Sequence, residues 1–248
     1  MKKYNIITLS LLVLASFMLT ACSFSFTGII TGSGIMTTET REVSGFNAVE
    51  LDGVGRLNII PGETESLEIR AEDNIITELS SEVRAGTLTL GYIDKFWQKS
   101  VFPTEEIVYT LTVTDLSEIT INGAGNLNMD DLDTNSLELV VNGAGKIEID
   151  DLTSDELIVN ISGAATIEVG GEVIEQRVEI NGTGNYQADD LQSNSTEVKI
   201  QGLGNAKVWA VDSLKITING GGEVSYYGSP ELTQEINGFG DINRLGDK

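Results

Sequence analysis

Residues 119–129 read ITINGAGNLNM, and residues 139–149 return to the same pattern as LVVNGAGKIEI. The tetrad Asn-Gly-x-Gly, or a close variant of it, begins at residues 122, 142, 162, 181, 201, 219 and 237. Successive copies are therefore separated by 18 to 20 residues. Because a fixed period of this length is the sequence signature of a repeat architecture, this stretch decides the fold.

Hydrophobic residues keep a constant distance from every tetrad. The residue immediately before it is Ile or Val in each copy, and a hydrophobic residue stands five places after its start, as Leu127, Ile147, Ile167, Tyr186, Ala206, Val224 and Ile242. Within each segment these positions alternate with others, which indicates strands with one buried face. A period of two, interrupted often by Gly, excludes a helical repeat.

The pattern predicts an all-β chain that folds as a parallel β-helix, or β-solenoid, of about 20-residue coils. Like residues would stack about 4.8 Å apart, and about ten coils would give a rod roughly 45 to 50 Å long. Ile121, Val141 and Ile161 should then share one interior row. The alternative is an open sandwich of hairpins, which the identical register of the turns disfavours.

The tetrad glycines and the looser first half of the chain extend this prediction. The Gly in second place suits either a positive φ or a crowded corner. Asp52 begins an earlier copy of the tetrad, and residues 32–34 are interpreted as a frayed one. Residues 94–106 have no strand pattern and are predicted to form an inserted loop.

Residues 1–21 have the character of a lipoprotein signal peptide. Lys2 and Lys3 precede an apolar stretch whose length suits a signal peptide better than a spanning helix. Residues 19–22 read LTAC, which resembles the bacterial lipobox; the resemblance implies cleavage before Cys22 and diacylation of its sulfur. The alternative is an ordinary signal peptide with an incidental Cys.

The lipobox resemblance predicts an exported chain that is anchored to the cell envelope. Two or more acyl chains on Cys22 would hold it durably to a membrane. Ser23 resembles the residue found in lipoproteins that are sorted to the outer membrane of Gram-negative cells. Residues 22–40 would be the lipidated Cys and a tether, and residues 41–248 a single β-helix domain.

Composition removes several classes of function. The chain of 248 residues has no His, one Cys and a formal net charge of −23. The lack of His excludes Ser-His-Asp and Cys-His catalysis, and the single Cys excludes a disulfide framework or a zinc cluster. So acidic a surface repels nucleic-acid phosphates, so no nucleic-acid partner is expected. We expect no cofactor.

The repeat and a motif near its start resemble a known family. Residues 43–49 read VSGFNAV, and Ile-Asn-Gly recurs from residue 121 onward, as in the bacterial "putative auto-transporter adhesin, head GIN domain" family. The resemblance covers roughly residues 40–246 and implies a right-handed parallel β-helix with a role in surface adhesion. It supplies no catalytic residues. In the third copy Ser162 and Ala165 replace Asn and Gly, which puts the corner conformation there in doubt.

Two polar columns are candidate sites. Paired acids follow the tetrads at one corner of the predicted coil, among them Asp130, Asp131, Asp150 and Asp151. Stacked carboxylates would repel by about 0.9 kcal/mol in bulk water; calcium would relieve this, although a solvated turn is the favoured interpretation. The other column has amide side chains that can hydrogen-bond from coil to coil, and its predicted role is structural: Asn122, Asn142, Asn181, Asn219 and Asn237.

Aromatic residues supply the candidate binding surfaces. Trp209 and Tyr227 are predicted to continue the column of paired acids and to point to solvent, where rings stack on sugars or contact a protein. The inserted loop gathers Phe96, Trp97 and Phe102 with two Lys, which is typical of a contact site. The structural alternatives are that the pair shields the end of the rod and that the loop covers an edge.

The sequence therefore predicts a lipid-anchored, non-catalytic envelope protein that binds a glycan or another envelope protein. A structural or self-associating module is the alternative, since exposed strand edges invite an edge-mediated homo-oligomer. A polysaccharide-active enzyme is disfavoured because the basic residues fall in different columns, at Lys146, Lys199, Lys207 and Lys215.

Overall fold

Long β-strands dominate the part of the chain that the computed structural model describes, residues 28–93 and 100–248. Residues 1–21, Cys22, Phe96 and Trp97 lie outside the described residues. The strands, in chain order, are β1 (Ile29–Thr31), β2 (Met36–Arg41), β3 (Ala48–Leu51), β4 (Val54–Pro61), β5 (Ser66–Glu72), β6 (Leu79–Arg84), β7 (Thr87–Tyr92), β8 (Ser100–Phe102), β9 (Val108–Val113), β10 (Glu118–Ile121), β11 (Ala124–Val141), β12 (Ala144–Ile161), β13 (Ala164–Ile180), β14 (Thr183–Ile200), β15 (Leu203–Ile218), β16 (Gly221–Tyr227), β17 (Glu231–Ile236) and β18 (Phe239–Gly246).

The chain folds as a β-solenoid of about six coils spaced about 20 residues apart. Strands β10 to β18 stack in parallel, each on the strand of the preceding coil. Ile121, Val141 and Ile161 are in register and buried, so the predicted interior row is confirmed. The row continues through Ile180, Ile200 and Ile218.

A column of glycines explains why the coils stack so closely at the tetrads. We call the second tetrad residues Gly123, Gly143, Gly163, Gly182, Gly202, Gly220 and Gly238 the glycine ladder. A Cβ built on any of them would lie 1.8 to 2.1 Å from the carbonyl oxygen of the glycine one coil below. None of the ladder glycines has a positive φ. The crowded corner, and not an unusual dihedral angle, is therefore what requires Gly there.

The third tetrad keeps its corner despite its altered residues. Ala164 pairs in register with Ala144 below and with Thr183 above, and Ala165 pairs with Gly145 and Gly184. The substitutions at Ser162 and Ala165 therefore leave the stacking of this coil unchanged.

The described residues before β10 form a cap that combines two parallel layers with antiparallel strands. Strand β3 stacks directly on β10, and β4 stacks on β11. Strands β7 and β9 add one more parallel layer beneath β3 and β4, and the other described strands of residues 62–117 leave the coil path. Within this segment β5 pairs antiparallel with β2 and β9, and β6 pairs antiparallel with β7. The expectation of about ten coils was wrong because these antiparallel pairs consume residues that a continuing helix would have used.

A buried carboxylate ties the first described residues to this cap. Glu72 at the end of β5 is 1% exposed and accepts hydrogen bonds from the backbone N–H of Gly34 (2.7 Å) and Thr104 (2.8 Å). The hydroxyl of Thr104 also donates a hydrogen bond to the Glu72 carboxylate. This bond, together with the backbone donors, lowers the pKa of Glu72 to about 2, although burial acts in the opposite direction. Residues 32–34 lie against this carboxylate, so they are not an earlier tetrad.

Candidate functional site

Trp209 and Tyr227 lie side by side on adjacent coils. They are paired in register on β15 and β16 and follow the buried residues Val208 and Tyr226. Both residues are half-buried, whereas the sequence predicted that their rings point to solvent. Their position nevertheless brings two aromatic faces together at one corner of the solenoid.

The predicted continuity of this pair with the acidic column was wrong. Ala188 pairs with Val208, but the next paired residue of β14 is Gln192, which lies opposite Trp209. Residues 189–191 are therefore extra on β14 and bulge out of register, as unmatched residues in a ladder do. The bulge puts Asp189 and Asp190 beside the rings and not beneath them.

Lys248 covers the aromatic pair. Its Nζ lies 5.6 Å from the centroid of the Trp209 ring and 5.1 Å from that of Tyr227. The same ammonium donates hydrogen bonds to the backbone carbonyl of Asp189 and to Oδ1 of Asp190. A cation thus lies where the sequence predicted an open aromatic surface.

The remaining paired acids are solvated. Asp131 and Asp151 are in register on β11 and β12, and Asp130 and Asp150 are exposed beside them. In residues 28–93 and 100–248, no three acidic side chains converge in a way that could hold a metal ion. The geometry gives the calcium alternative no support.

The asparagine column forms hydrogen bonds between coils. Asn142 Nδ2 donates to Asn122 Oδ1 (2.8 Å), and Asn237 Nδ2 donates to Asn219 Oδ1 (3.1 Å). In another pair of coils Gln201 donates to Asn181 Oδ1 (2.8 Å). Since these amides bond to one another along the stack, they act as structural contacts of the coils.

Phe102 is the one member of the predicted loop site within the described residues. It is 52% exposed and lies on β8, which pairs with β1 at the capped end. Trp209 and Tyr227 belong to β15 and β16, which lie four and five strands beyond β11 in the stack. The structure therefore does not join the two predicted aromatic sites into one surface.

Sequence reasoning missed an exposed apolar ridge at the third tetrad position. This position points outward along one edge of the solenoid and holds Ala124, Ala144, Ala164, Thr183, Leu203, Gly221 and Phe239. Leu203 is 65% exposed and Phe239 is 93% exposed, with Gly221 in register between them. The available signal was the change from Ala to large apolar residues in a column that otherwise holds small ones.

A shallow groove runs beside this ridge. Its volume is about 710 Å³, and it extends over the coils from Gly145 to Gly222. Gly184 and Gly204 line it, Asn185 and Asn205 supply polar atoms, and Leu203 stands at its edge. The groove thus continues the exposed apolar surface along the axis.

The last coil leaves the interior row partly open. Strand β17 pairs with β15 and β18 pairs with β16, and no described strand covers the other edge of either. Ile236 is 42% exposed, although Ile218 directly below it is fully buried. We use the name distal patch for four exposed large apolar residues of β15, β17 and β18: Leu203, Ile236, Phe239 and Leu245.

Basic residues that a polysaccharide lyase would need are engaged in ion pairs. Lys146 contacts Glu168 (2.9 Å) and Glu148 (3.0 Å), and its hydrogen bonds to these two carboxylates raise the pKa of Lys146. Three further lysines have acidic partners, in the pairs Lys199–Glu179, Lys207–Asp189 and Lys215–Glu197. These four lysines lie on three strands, β12, β14 and β15, and each is paired with an acid.

Comparisons with known proteins agree with the fold. The family model described as "Putative auto-transporter adhesin, head GIN domain" matches residues 45–230. A solved structure of a "putative adhesin" from Bacteroides fragilis NCTC 9343 is 26% identical with a TM-score of 0.83, and the match covers 87% of this chain and 100% of that one. No curated protein matches the chain.

More distant solved structures have the same fold. A "putative lipid binding protein" from Parabacteroides distasonis ATCC 8503 is 24% identical with a TM-score of 0.70, covering 88% of this chain and 99% of that one. A "putative adhesin" from Parabacteroides merdae ATCC 43184 is 20% identical with a TM-score of 0.65 and the same coverage. The described residues of the present chain include no helix with the length and apolar character needed to cross a membrane.

Proposed function

The chain belongs to the family described as "putative auto-transporter adhesin, head GIN domain", and from this we propose that it is a non-catalytic binding protein of the bacterial envelope. In this proposal Cys22 carries the lipid anchor, and the distal patch contacts a glycan or a protein outside the membrane. The predicted family role of surface adhesion is consistent with both parts.

One observation carries the proposal: large apolar side chains are exposed at the ends of the solenoid. Between β10 and β14 the described residues expose one such side chain, Ile174, whereas the distal patch alone exposes four. Exposed apolar clusters of this kind mark interaction sites, because leaving them in water is unfavourable. The described middle coils thus expose fewer large apolar side chains than the distal end does.

The position of the anchor supports a distal binding end. Residues 32–34 are held at the cap by Glu72, so a lipid on Cys22 would be tethered to the capped end. Seven inter-strand steps of about 4.8 Å separate β4 from β18, which places the last coil roughly 34 Å further along the axis. The acidic surface would also keep the rod away from anionic headgroups.

The adhesion test compares the distal patch with a matched exposed residue. Leu203→Ser combined with Phe239→Ser should lower capture of the chain on glycan and matrix-protein arrays by about tenfold or more, as loss of a large anchor does at interfaces. Ile174→Ser, at 54% exposure, is the control and should leave capture unchanged. Equal loss in both variants, with unchanged circular dichroism, would refute the distal site.

The anchor has its own test. Cys22→Ala should move the protein from the membrane fraction to the soluble fraction, and intact mass spectrometry should show the loss of the acyl chains. Retention of Cys22→Ala in the membrane fraction would contradict lipid anchoring.

A separate test addresses catalysis. Incubation of the protein with acidic polysaccharides should yield no unsaturated product, and its appearance would favour an enzyme.

A second candidate function is self-association, which the open edges of β17 and β18 favour. Unpaired edges template further strands. Light scattering would then show a mass that rises with concentration, and Ile236→Lys would abolish the rise. A constant monomer mass would exclude this candidate.

A further inference from the structure

The ammonium of Lys248 is bound by two kinds of partner at once. It lies 5.6 Å from the Trp209 ring centroid and 5.1 Å from the Tyr227 ring centroid, and it donates to oxygens of Asp189 and Asp190. Aromatic faces attract a cation within about 6 Å through the negative potential above the ring. The oxygens supply directed hydrogen bonds, so the arrangement recognises both the charge and the donors.

The backbone of three coils builds this arrangement. Strand β14 carries the extra residues 189–191, strand β15 carries Trp209, and strand β16 carries Tyr227. After Tyr227, Gly228 has a φ of +100°, and a Cβ there would lie 2.0 Å from the Ala210 carbonyl oxygen. The chain is thus turned tightly beside the rings. At the corresponding places, β11 and β12 carry the paired acids Asp130–Asp131 and Asp150–Asp151 in the sequence.

The ammonium is only partly enclosed. The Lys248 side chain is 27% exposed, while the Asp190 side chain is 83% exposed. Most of the Asp190 side chain therefore faces solvent. Another amine could reach the same position if Lys248 moved away.

We propose that Trp209, Tyr227 and Asp190 form a binding site for a primary alkylammonium group, which Lys248 fills when no partner is present. The inference rests on the proposed binding function and names the chemistry of the partner: a lysine side chain on a protein. A primary ammonium fits because it has three donors, two of which are used here. A quaternary ammonium has no donor for Asp189 and Asp190.

The site thus has an internal competitor. A tethered ligand acts at an effective concentration on the order of millimolar, which lowers the apparent affinity of a free ligand. Replacing Lys248 by Gln removes the charge and keeps a side chain of similar polarity. Binding of an external amine should consequently become stronger in Lys248→Gln.

The experiment titrates Nα-acetyl-lysine methylamide into the full chain carrying Cys22→Ser and Trp97→Phe, so that Trp209 is the remaining indole. The Trp209 indole N–H resonance reports binding. Lys248→Gln should bind the probe at least about threefold more tightly than Lys248, as expected for removal of a tethered competitor. Adding Asp190→Asn should reverse the gain, while Asp130→Asn, an exposed acid on another coil, should leave it intact.

Three control ligands sharpen the test. Nα,Nε-diacetyl-lysine methylamide lacks the charge, tetramethylammonium lacks the N–H donors, and glucosamine lacks the alkyl stem. Each should shift the resonance less than the lysine probe. Equal probe affinity with and without Lys248, or an equal response to any control ligand, would overturn the proposal. Because this assay uses small ligands, its failure is separate from a failure of the distal patch in the capture assay.

Discussion

Gly143→Ala tests whether close stacking at the glycine ladder holds the coils together. A Cβ at Gly143 would lie 1.8 Å from the Gly123 carbonyl oxygen and 2.6 Å from that of Asn122. Ordinary non-bonded contacts between heavy atoms are about 3.5 Å, so the backbones of the two coils would have to move apart locally by more than about 1 Å. The substitution therefore acts on the backbone pairing itself.

The expected loss follows from the hydrogen bonds at this corner. Gly143 N donates to Ile121 O (3.1 Å), and Ala144 N donates to Gly123 O (3.0 Å). Stretching both beyond bonding distance costs about 1 kcal/mol each, and residual strain brings the loss in the free energy of unfolding to about 2–4 kcal/mol. We expect a lower urea midpoint and faster hydrogen exchange at the amide of Ala144.

The chain offers a matched control at the bottom of the same column. Gly53 holds the second tetrad place, but a Cβ there would meet its nearest atoms, Gly91 Cα and Tyr92 Cε2, at 3.6 Å. Gly53→Ala should be neutral or stabilising by up to about 1 kcal/mol, because Ala restricts the unfolded chain. If both substitutions shifted the urea midpoint equally, stacking at the ladder would not be the cause and the reasoning would fail.

Two further predictions concern buried polar groups. The pKa of Glu72 is lowered from 4.5 to about 2, so its contribution to stability should be present above pH 4.5 and be lost as the pH falls towards 2. In acid titrations followed by circular dichroism, Glu72→Gln should make stability depend less on pH in this range. An unchanged profile would contradict the assignment. Tyr109 Oη has no hydrogen-bond partner among the described residues, whereas Tyr186 Oη donates to Gln176 Oε1 (2.9 Å). Thermal melts should therefore show Tyr109→Phe as neutral or stabilising and Tyr186→Phe as destabilising by about 0.5–1.5 kcal/mol, and the reverse order would refute this account.

The repeat region could be predicted from sequence because equivalent positions of neighbouring coils contact one another and therefore hold similar residues. A residue such as Ile161 is constrained by Val141 below and Ile180 above, so the same chemistry recurs at each step. Register then follows from period alone. The interior row and the parallel pairing were accordingly predictable without any knowledge of long-range contacts.

The cap could not be predicted in this way. Strand β3 pairs with β10 across 70 positions, and alternation within β5 or β6 does not say which strand lies beside it. A buried face is compatible with parallel and antiparallel neighbours alike. For the same reason, no sequence pattern indicated that Glu72 would hold residues 32–34.

The candidate sites show a similar division. The Asn column could be placed because it belongs to the period, whereas Trp209 was assigned to the wrong neighbours because three residues bulge on β14. Nothing in the sequence pairs Lys248 with rings on two other strands. These contacts depend on local departures from the repeat. An alignment of the copies assumes that all coils are alike, so it does not show such departures.

The constraints of stacking also explain why binding chemistry should collect where it does. At the second tetrad place a side chain would collide with the coil below, and at the place before the tetrad it must fill the interior. The third tetrad place points outward, so Leu203 and Phe239 can replace Ala without disturbing a neighbour. Bulges and the last coil are similarly free. A solenoid can therefore change what it binds at these positions while the same interior contacts keep it folded.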